Sequence, residues 1–239
     1  MRIAVLSDMH GARRPFERAL EDARTLGFDM LVLLGDLFTY GVDPEACRDL
    51  ATGALEDGAI LIGGNHDQLY VDLAHGETSY LENRPKWLIE SVQWTSERLG
   101  GIWPERLRWK DEYIIEDVLL AHANPFGFGD WTYLNSPDLL TSAAVSLANR
   151  GLRTGVFGHV HRPESFTENG INVYVVGSIG QPRNRKKLSP EWALLEMKQN
   201  AVDLKRQLVE FDPVEHCATI QATKELSEDT RNRLCQFFQ

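Results

Sequence analysis

Short apolar runs alternate with helical periodicity through the first 67 residues, the pattern of βαβ units around a mainly parallel sheet. Ile3 to Asp8 (IAVLSD) and Met30 to Asp36 (MLVLLGD) predict buried strands, and Ala59 to Asp67 (AILIGGNHD) predicts a third strand with its exit loop. Between the first two, Phe16, Ala19, Leu20, Ala23 and Leu26 keep helical spacing, which predicts a helix from Arg13 to Leu26 stopped at Gly27. Asp43-Pro44 reads as an N-cap followed by proline at the first helical position, with the helix running to about Asp57. The stretch from Gln68 to Trp109 holds four of the six tryptophans and mixes helical patterning with loops. Strands are expected within Glu112 to His122, and a helix from Thr141 to Gly151, where glycine closes it. Arg153 to Gly158 and Ile171 to Val176 predict further strands, and Trp192 to Phe211 a hairpin turning at Gln199-Asn200. A polar amphipathic helix over about Lys224 to Phe238 ends the pattern.

A chain of 239 residues that is 43% hydrophobic can bury a sizeable core. With no repeat, low-complexity tract or linker, it reads as one α/β domain over residues 1–239, ending in a helical tail from about 222 to 239. The formal net charge of -10 argues against long nucleic acid and anionic membrane as partners, so an anionic substrate has to be attracted locally. Cys47, Cys217 and Cys235 are odd in number and lack metal-ligand spacing, which argues against a disulfide framework and fits a reducing compartment. The apolar run in MRIAVLSD is too short for a signal peptide and no stretch reaches a membrane span's length, so the expectation is a soluble, cytoplasmic protein without a membrane partner.

Polar residues cluster where the apolar runs end: Asp8 and His10, then Asp36, then Asn65, His66 and Asp67, then His122, then His159 and His161. Five of the seven histidines belong to this set. In an open α/β sheet, neighbouring strand ends face one crevice, so these residues can converge. Residues two apart in extended backbone point the same way, which would aim Asp8 with His10, and His159 with His161, at a common ion or at adjacent ions. Glycines 35, 63, 64 and 158 stand just before these residues and permit unusual backbone angles and close approach. Carboxylate, amide and imidazole donors without thiolate suit Mn²⁺ first, with Fe, Zn²⁺, Ni²⁺ or Co²⁺ as alternatives, better than Ca²⁺ or a structural cysteine zinc site. The donors are too many for one ion, and a two-metal site about 3.5 to 4 Å across with one shared carboxylate is more economical.

SDMHG (Ser7 to Gly11), LLGDLFTYG (Leu33 to Gly41), GGNHD (Gly63 to Asp67), AHANP (Ala121 to Pro125) and GHVHRP (Gly158 to Pro163) resemble, in order and spacing, the five motifs of the calcineurin-like metallophosphoesterases. The likeness is strongest to the small bacterial branch, whose members also carry a stretch like VVGSIGQPRN (Val175 to Asn184), and it covers about residues 1 to 211. The resemblance implies one metal held by Asp8, His10, Asp36 and His161 and a second held by Asp36, Asn65, His122 and His159, with Asp36 bridging. It also implies that His66 contacts the substrate phosphate and protonates the leaving oxygen, while Asp67 orients that imidazole by hydrogen bonding. The implied fold is an α/β two-sheet β-sandwich flanked by helices, four layers deep, so one simple parallel sheet is not expected. Two departures lie where substrate would sit. Ala12, followed by Arg13 and Arg14, stands where the branch often has asparagine, and His122-Ala123 stands where it usually has His-Gly.

The implied activity is hydrolysis of a phosphomonoester or phosphodiester by a metal-activated hydroxide, with nucleotides and dinucleoside polyphosphates among the candidate substrates. Arg13, Arg183 and Arg185 are the candidate substrate contacts, the last two from the basic run Arg183 to Lys187, which otherwise reads as a solvated loop. Phe126 to Leu134 (FGFGDWTYL) reads as part core and part rim able to stack on a base or aryl group. His75 and His216 lie outside every motif and are read without a functional role. The alternative is a binding scaffold of the same fold with its chemistry lost, a change expected to delete ligands or the motif histidine, all of which are present here. An amidohydrolase barrel would place His-x-His near its first strand, whereas here Asp-x-His comes first.

Overall fold

The apolar runs are apolar on both faces because each strand is covered on both, and that requires two sheets between two helical layers. The computed structural model describes residues 1–100, 107–183, 189–199 and 201–238. Its strands are β1 (Arg2–Leu6), β2 (Met30–Leu33), β3 (Ile60–Leu61), β4 (Glu112–Ile115), β5 (Val118–Ala121), β6 (Thr154–Phe157), β7 (Glu164–Glu168), β8 (Ile171–Val175), β9 (Glu191–Lys198) and β10 (Ala201–Leu208). The helices are α1 (Arg13–Leu26), α2 (Pro44–Glu56), α3 (Asn65–Ala74), α4 (Lys86–Arg98), α5 (Pro137–Asn149), α6 (Pro213–Ala222) and α7 (Glu228–Cys235). One five-stranded sheet runs β10-β9-β1-β2-β3 and the other β4-β5-β6-β8-β7. Among these strands, β1 pairs with β2, β2 with β3, β5 with β6 and β6 with β8 in parallel, and antiparallel strands complete both sheets.

Alternation along β1 shows how the layers are made. Ile3 and Val5 point into the seam between the sheets, where Val32, Val118, Leu120, Val156 and Leu195 meet them. Ala4 and Leu6 point the other way, against Phe16, Ala19 and Leu20 of α1 and Cys47 and Ala51 of α2. Across the seam, Leu119, Phe157 and Val175 turn outward onto Leu140, Ala143 and Leu147 of α5. The chain therefore forms the four-layer sandwich that the motifs imply.

Several local expectations are corrected. The third strand is only Ile60–Leu61, and Asn65, expected in its exit loop, begins α3 because Asp67 accepts the Gly64 N–H at 2.9 Å and closes the first turn. Asp43 precedes α2 as expected, but its side chain makes no capping hydrogen bond. The helix expected from Thr141 starts at Pro137, where the Ser136 hydroxyl accepts from Leu139 N–H. The C-terminal helix expected over about Lys224 to Phe238 is shorter, α7 followed by a short 3₁₀ turn, Gln236–Phe238, and α6 before it was not anticipated. β7 was not anticipated: it is a polar edge strand whose residues carry no apolar run. The predicted hairpin forms as β9 and β10, while Asn200 at its turn lies outside the described residues. Among the described residues, no helix is long and apolar enough to cross a membrane.

Candidate metal centre

The motif residues follow the carboxyl ends of β1, β2, β5 and β6, and hydrogen bonds across the seam lock those ends together. His159 N–H donates to Asp8 Oδ2 at 3.1 Å, Gly180 N–H to Asp8 O at 2.8 Å, and His122 Nδ1 meets Leu34 O at 2.5 Å. A Cβ on Gly158 would overlap Ser7 Oγ, and one on Gly64 would overlap Asp36 Oδ1, so both loops need glycine to approach this closely. Asp8 (φ 56°), His10 (φ 46°), Asp36 (φ 52°), His159 (φ 65°) and His161 (φ 60°) all adopt the left-handed region. The convergence expected from extended backbone is thus achieved differently, by strained single-residue turns of a kind found at functional sites.

Two donor groups result. Asp8, His10, Asp36 and His161 form one and Asp36, His122 and His159 the other, with the ligand atoms of each group within 4.8 Å of one another and every residue buried. Asp8 Oδ1 lies 3.2 Å from His161 Nε2, and His10 Nε2 lies 3.1 Å from His161 Nε2. Asp36 Oδ2 stands 3.7 Å from His10 Nε2 and 3.5 Å from His122 Nε2, between the two groups. Asn65 Oδ1 comes within 3.2 Å of His122 Nε2, and His159 Nδ1 within 3.3 Å, which brings the amide into the second group. Atoms sharing an ion at about 2.1 Å stand roughly 3 to 3.4 Å apart, so the spacing fits. Asp8 Oδ1 and Asp36 Oδ2 are buried without a hydrogen-bond partner among the described residues, an arrangement whose cost a cation would remove.

Each imidazole of the two groups has its other nitrogen tied to a backbone carbonyl. His10 Nδ1 meets Phe38 O at 3.0 Å, His161 Nδ1 meets Gln181 O at 3.0 Å, and His122 Nδ1 meets Leu34 O. His159 is reversed: its Nε2 meets Trp131 O at 3.0 Å and its Nδ1 faces the cluster. Such outer bonds set the tautomer and present a lone pair inward.

Burial pushes His10 well below its ordinary value and His159 to about 4, with the neighbouring imidazoles adding to the effect; both are neutral, the form that binds metal. Burial raises the Asp8 and Asp36 carboxyls, but the imidazoles around them outweigh it and hold both below the usual range. Burial lowers His122, yet the Asp36 charge dominates and pushes it up to about 10.

His66 is buried next to this cluster but joins neither donor group. Its Nε2 lies 3.2 Å from the Tyr40 hydroxyl and its Nδ1 has no partner among the described residues. The expectation that Asp67 bonds this ring is corrected. Asp67 accepts the backbone N–H groups of Asp36 (2.6 Å), Leu37 (2.9 Å) and Gly64 (2.9 Å), because the first turn of α3 turns its carboxylate toward the end of β2. Burial and the Asp36 charge push the Asp67 carboxyl up to about 8, against the pull of the Gly64 and Leu37 N–H groups.

Arg183 stands beside the centre. Its N–H donates to His161 O at 3.1 Å, its guanidinium to Gln181 Oε1 at 2.6 Å, and it adjoins the Tyr133 phenol. Arg13 is instead paired with Glu17 at 2.9 Å on the exposed face of α1, and among the described residues no hydrogen bond or ion pair joins it to the cluster. Arg185 lies outside the described residues. His75 is exposed and bonded to Val71 O, and His216 is buried away from the centre. Sequence reasoning missed Tyr40, and it placed Trp131 and Tyr133 in a rim without seeing their contacts to His159: the Trp131 carbonyl bond, and the Tyr133 ring stacked at 4.1 Å. An aromatic residue two positions after the GDLF stretch was the available signal for Tyr40.

Residues 1–200 match the model of a calcineurin-like phosphoesterase superfamily domain. An uncharacterized protein of Methanocaldococcus jannaschii is 29% identical over 205 residues, covering 76% of this chain and 77% of its own. The crystal structure of a metallophosphoesterase from Sphaerobacter thermophilus superposes with a TM-score of 0.73 at 21% identity, over 99% of this chain and 100% of that one. A hypothetical protein of Pyrococcus horikoshii gives a TM-score of 0.81 at 19% identity, over 98% of this chain and 97% of its own. At these identities the two structures speak for the fold.

Proposed function

We propose, for a chain that belongs to the calcineurin-like phosphoesterase superfamily, that it hydrolyses phosphoric esters with two divalent metal ions. The observation carrying this reading is the pair of buried donor groups that meet at Asp36. Asp8, His10, Asp36 and His161 would hold one ion and Asp36, Asn65, His122 and His159 the other, with Mn²⁺ first among Mn²⁺, Fe, Zn²⁺, Ni²⁺ and Co²⁺. When bound, the pair supplies Lewis acidity to the phosphoryl group and acidifies water.

The chain's own residues do the rest. His66 is the one imidazole of the cluster with no backbone carbonyl on either nitrogen. Its Nε2–H has the Tyr40 oxygen as resting acceptor; the ring gives that proton to the leaving oxygen as the imidazolium, after Nδ1 has taken a second proton, and returns to the neutral form. Asp67 holds the loop after β2, and Asp36 within it, through its backbone hydrogen bonds. Arg183 offers a guanidinium to phosphate oxygens beside the centre.

Phe126, Phe128 and Tyr133, which are 37%, 42% and 43% exposed, share the loop after His122 with Trp131, against which the Phe128 ring stands edge-on at 5.1 Å. That rim favours an aryl or nucleobase group on the ester. A small cytoplasmic phosphorylated molecule or nucleotide fits better than long nucleic acid, given the net charge of -10.

The test is hydrolysis by metal-stripped protein resupplied with Mn²⁺, across an aryl phosphomonoester, an aryl phosphodiester, a dinucleoside polyphosphate and a phosphopeptide. Metal-dependent turnover on one ester class is expected. Metal-loaded protein inert on all four would overturn the reading.

A further inference from the structure

We propose that Tyr40 is a positioning residue for His66, and that Phe237 of the C-terminal turn braces it. The inference rests on the proton-donating role given to His66 above. Thr39 (φ 74°) and Tyr40 (φ 69°) are consecutive non-glycine residues in the left-handed region, an outlier that persists only where its surroundings enforce it. The enforcement is specific. Thr39 Oγ1 bonds the Tyr70 hydroxyl at 2.8 Å, Tyr40 N–H donates to Ser91 Oγ at 3.2 Å, and Gly41 N–H donates to His10 O at 2.7 Å.

The strained path turns the Tyr40 side chain inward. Its ring stands edge-on at 4.8 Å from His10 and 5.0 Å from His66, and its hydroxyl reaches His66 Nε2. Among the described residues this phenol is the only hydrogen-bond partner of the His66 ring, since Nδ1 is buried and has none. A buried N–H without an acceptor is rarer than a buried lone pair without a donor. The phenol oxygen therefore keeps the proton on Nε2 and holds the ring against rotation.

The far side of Tyr40 rests on Trp87 at 6.1 Å and Phe237 at 5.7 Å, which stand 6.3 Å from each other. Phe237 lies beyond the residues that match the family model. Its segment is anchored to α4, where the Glu90 carboxylate accepts Ser227 N–H and Ser227 Oγ–H at 2.6 Å each, at the start of α7. The C-terminal helices thereby press on Tyr40 and, through it, set the angle of His66.

The experiment compares Tyr40→Phe, His66→Asn, their double variant and Phe237→Ala in the full chain loaded with Mn²⁺. Losing one neutral hydrogen bond predicts about a three- to tenfold fall in kcat for Tyr40→Phe, with KM and metal content unchanged. In the His66→Asn background the same change should alter kcat by less than about twofold, because the phenol acts through the imidazole. Phe237→Ala should give a smaller fall of the same kind, restored by Phe237→Tyr.

Full kcat in Tyr40→Phe, with His66→Asn crippled, overturns the positioning role and leaves the reading of His66 standing. Full kcat in His66→Asn instead removes that reading, and the positioning role with it. An equal fall in both backgrounds makes the phenol a direct substrate contact and also overturns the proposal. Nitrogen-15 imidazole spectra test the same point without substrate: the His66 proton should sit at Nε2 in the parent and redistribute in Tyr40→Phe, and an unchanged signal contradicts the proposal.

Discussion

Four imidazoles of the centre, His10, His122, His159 and His161, each have one ring nitrogen fixed by a backbone carbonyl, whereas the fifth, His66, meets a phenol hydroxyl. The first four belong to loops locked across the seam between the sheets. The fifth stands against a wall of side chains made by Tyr40, Tyr80, Trp87 and Phe237. Backbone anchors change little when neighbouring side chains change, while side-chain anchors can be altered one residue at a time. A metal centre held the first way is insulated from substitutions that retune the proton donor held the second way.

The largest effect should come from attacking the shared point of the backbone-held half. Asp36→Asn is expected to lower turnover about a thousandfold or more and to release metal with it, since both donor groups use that carboxylate. A variant retaining full metal and full rate would show that the groups do not meet there. In the side-chain-held half, His66→Asn should lower turnover about a hundredfold with both ions retained, most severely for poor leaving groups. Metal loss in that variant would erase the distinction between the two halves.

Arg183 is tied to the backbone-held half through its N–H bond to His161 O, and Arg183→Ala should raise KM for anionic substrates about tenfold with metal content intact. An unchanged KM returns its guanidinium to a purely local role with Gln181.

The smallest effect concerns a sixth buried imidazole, His216, packed between Phe211 and Phe238 with no partner on either nitrogen among the described residues. Burial, helped by Arg14, depresses it from 6.5 to about 4. The unfolded chain therefore takes up a proton that the folded chain refuses, so stability is complete above the unfolded value and falls as pH drops toward 4. About 2 kcal/mol should be lost between pH 7 and pH 5, read from urea midpoints. His216→Leu should flatten that slope, and an equal slope in the variant would assign it to other groups.

The centre was more legible in the sequence than its wall. Residues such as Asp8, His10 and His161 follow apolar runs, where strand ends in an α/β fold face a crevice, and spacing alone exposes them. How they converge was not legible: the left-handed angles at Asp8 and His10 arise from hydrogen bonds to the loop after β2, made by residues more than two dozen positions away. Asp67 shows the same limit, since its neighbour His66 is adjacent in sequence but its partners are backbone groups of Asp36 and Leu37.

Helix starts were read unevenly: α2 begins at Pro44 as Asp43-Pro44 predicts, while the start of α6 was missed. Asp43-Pro44 and Asp212-Pro213 carry the same signal, yet only Asp212 caps through its side chain, accepting Val214 N–H at 2.8 Å. The apolar stripe of α6 is weak, and its helix was passed over. Tyr40 left no trace in periodicity because its importance depends on the backbone path that carries it.

The central claim is that two ions share Asp36. The most direct measurement is the metal stoichiometry of purified, Mn²⁺-saturated protein, by elemental analysis of the parent chain beside Asp36→Asn. The account predicts two ions per chain in the parent and loss of both from the variant. One ion in the parent, or two retained without the Asp36 carboxylate, would contradict it.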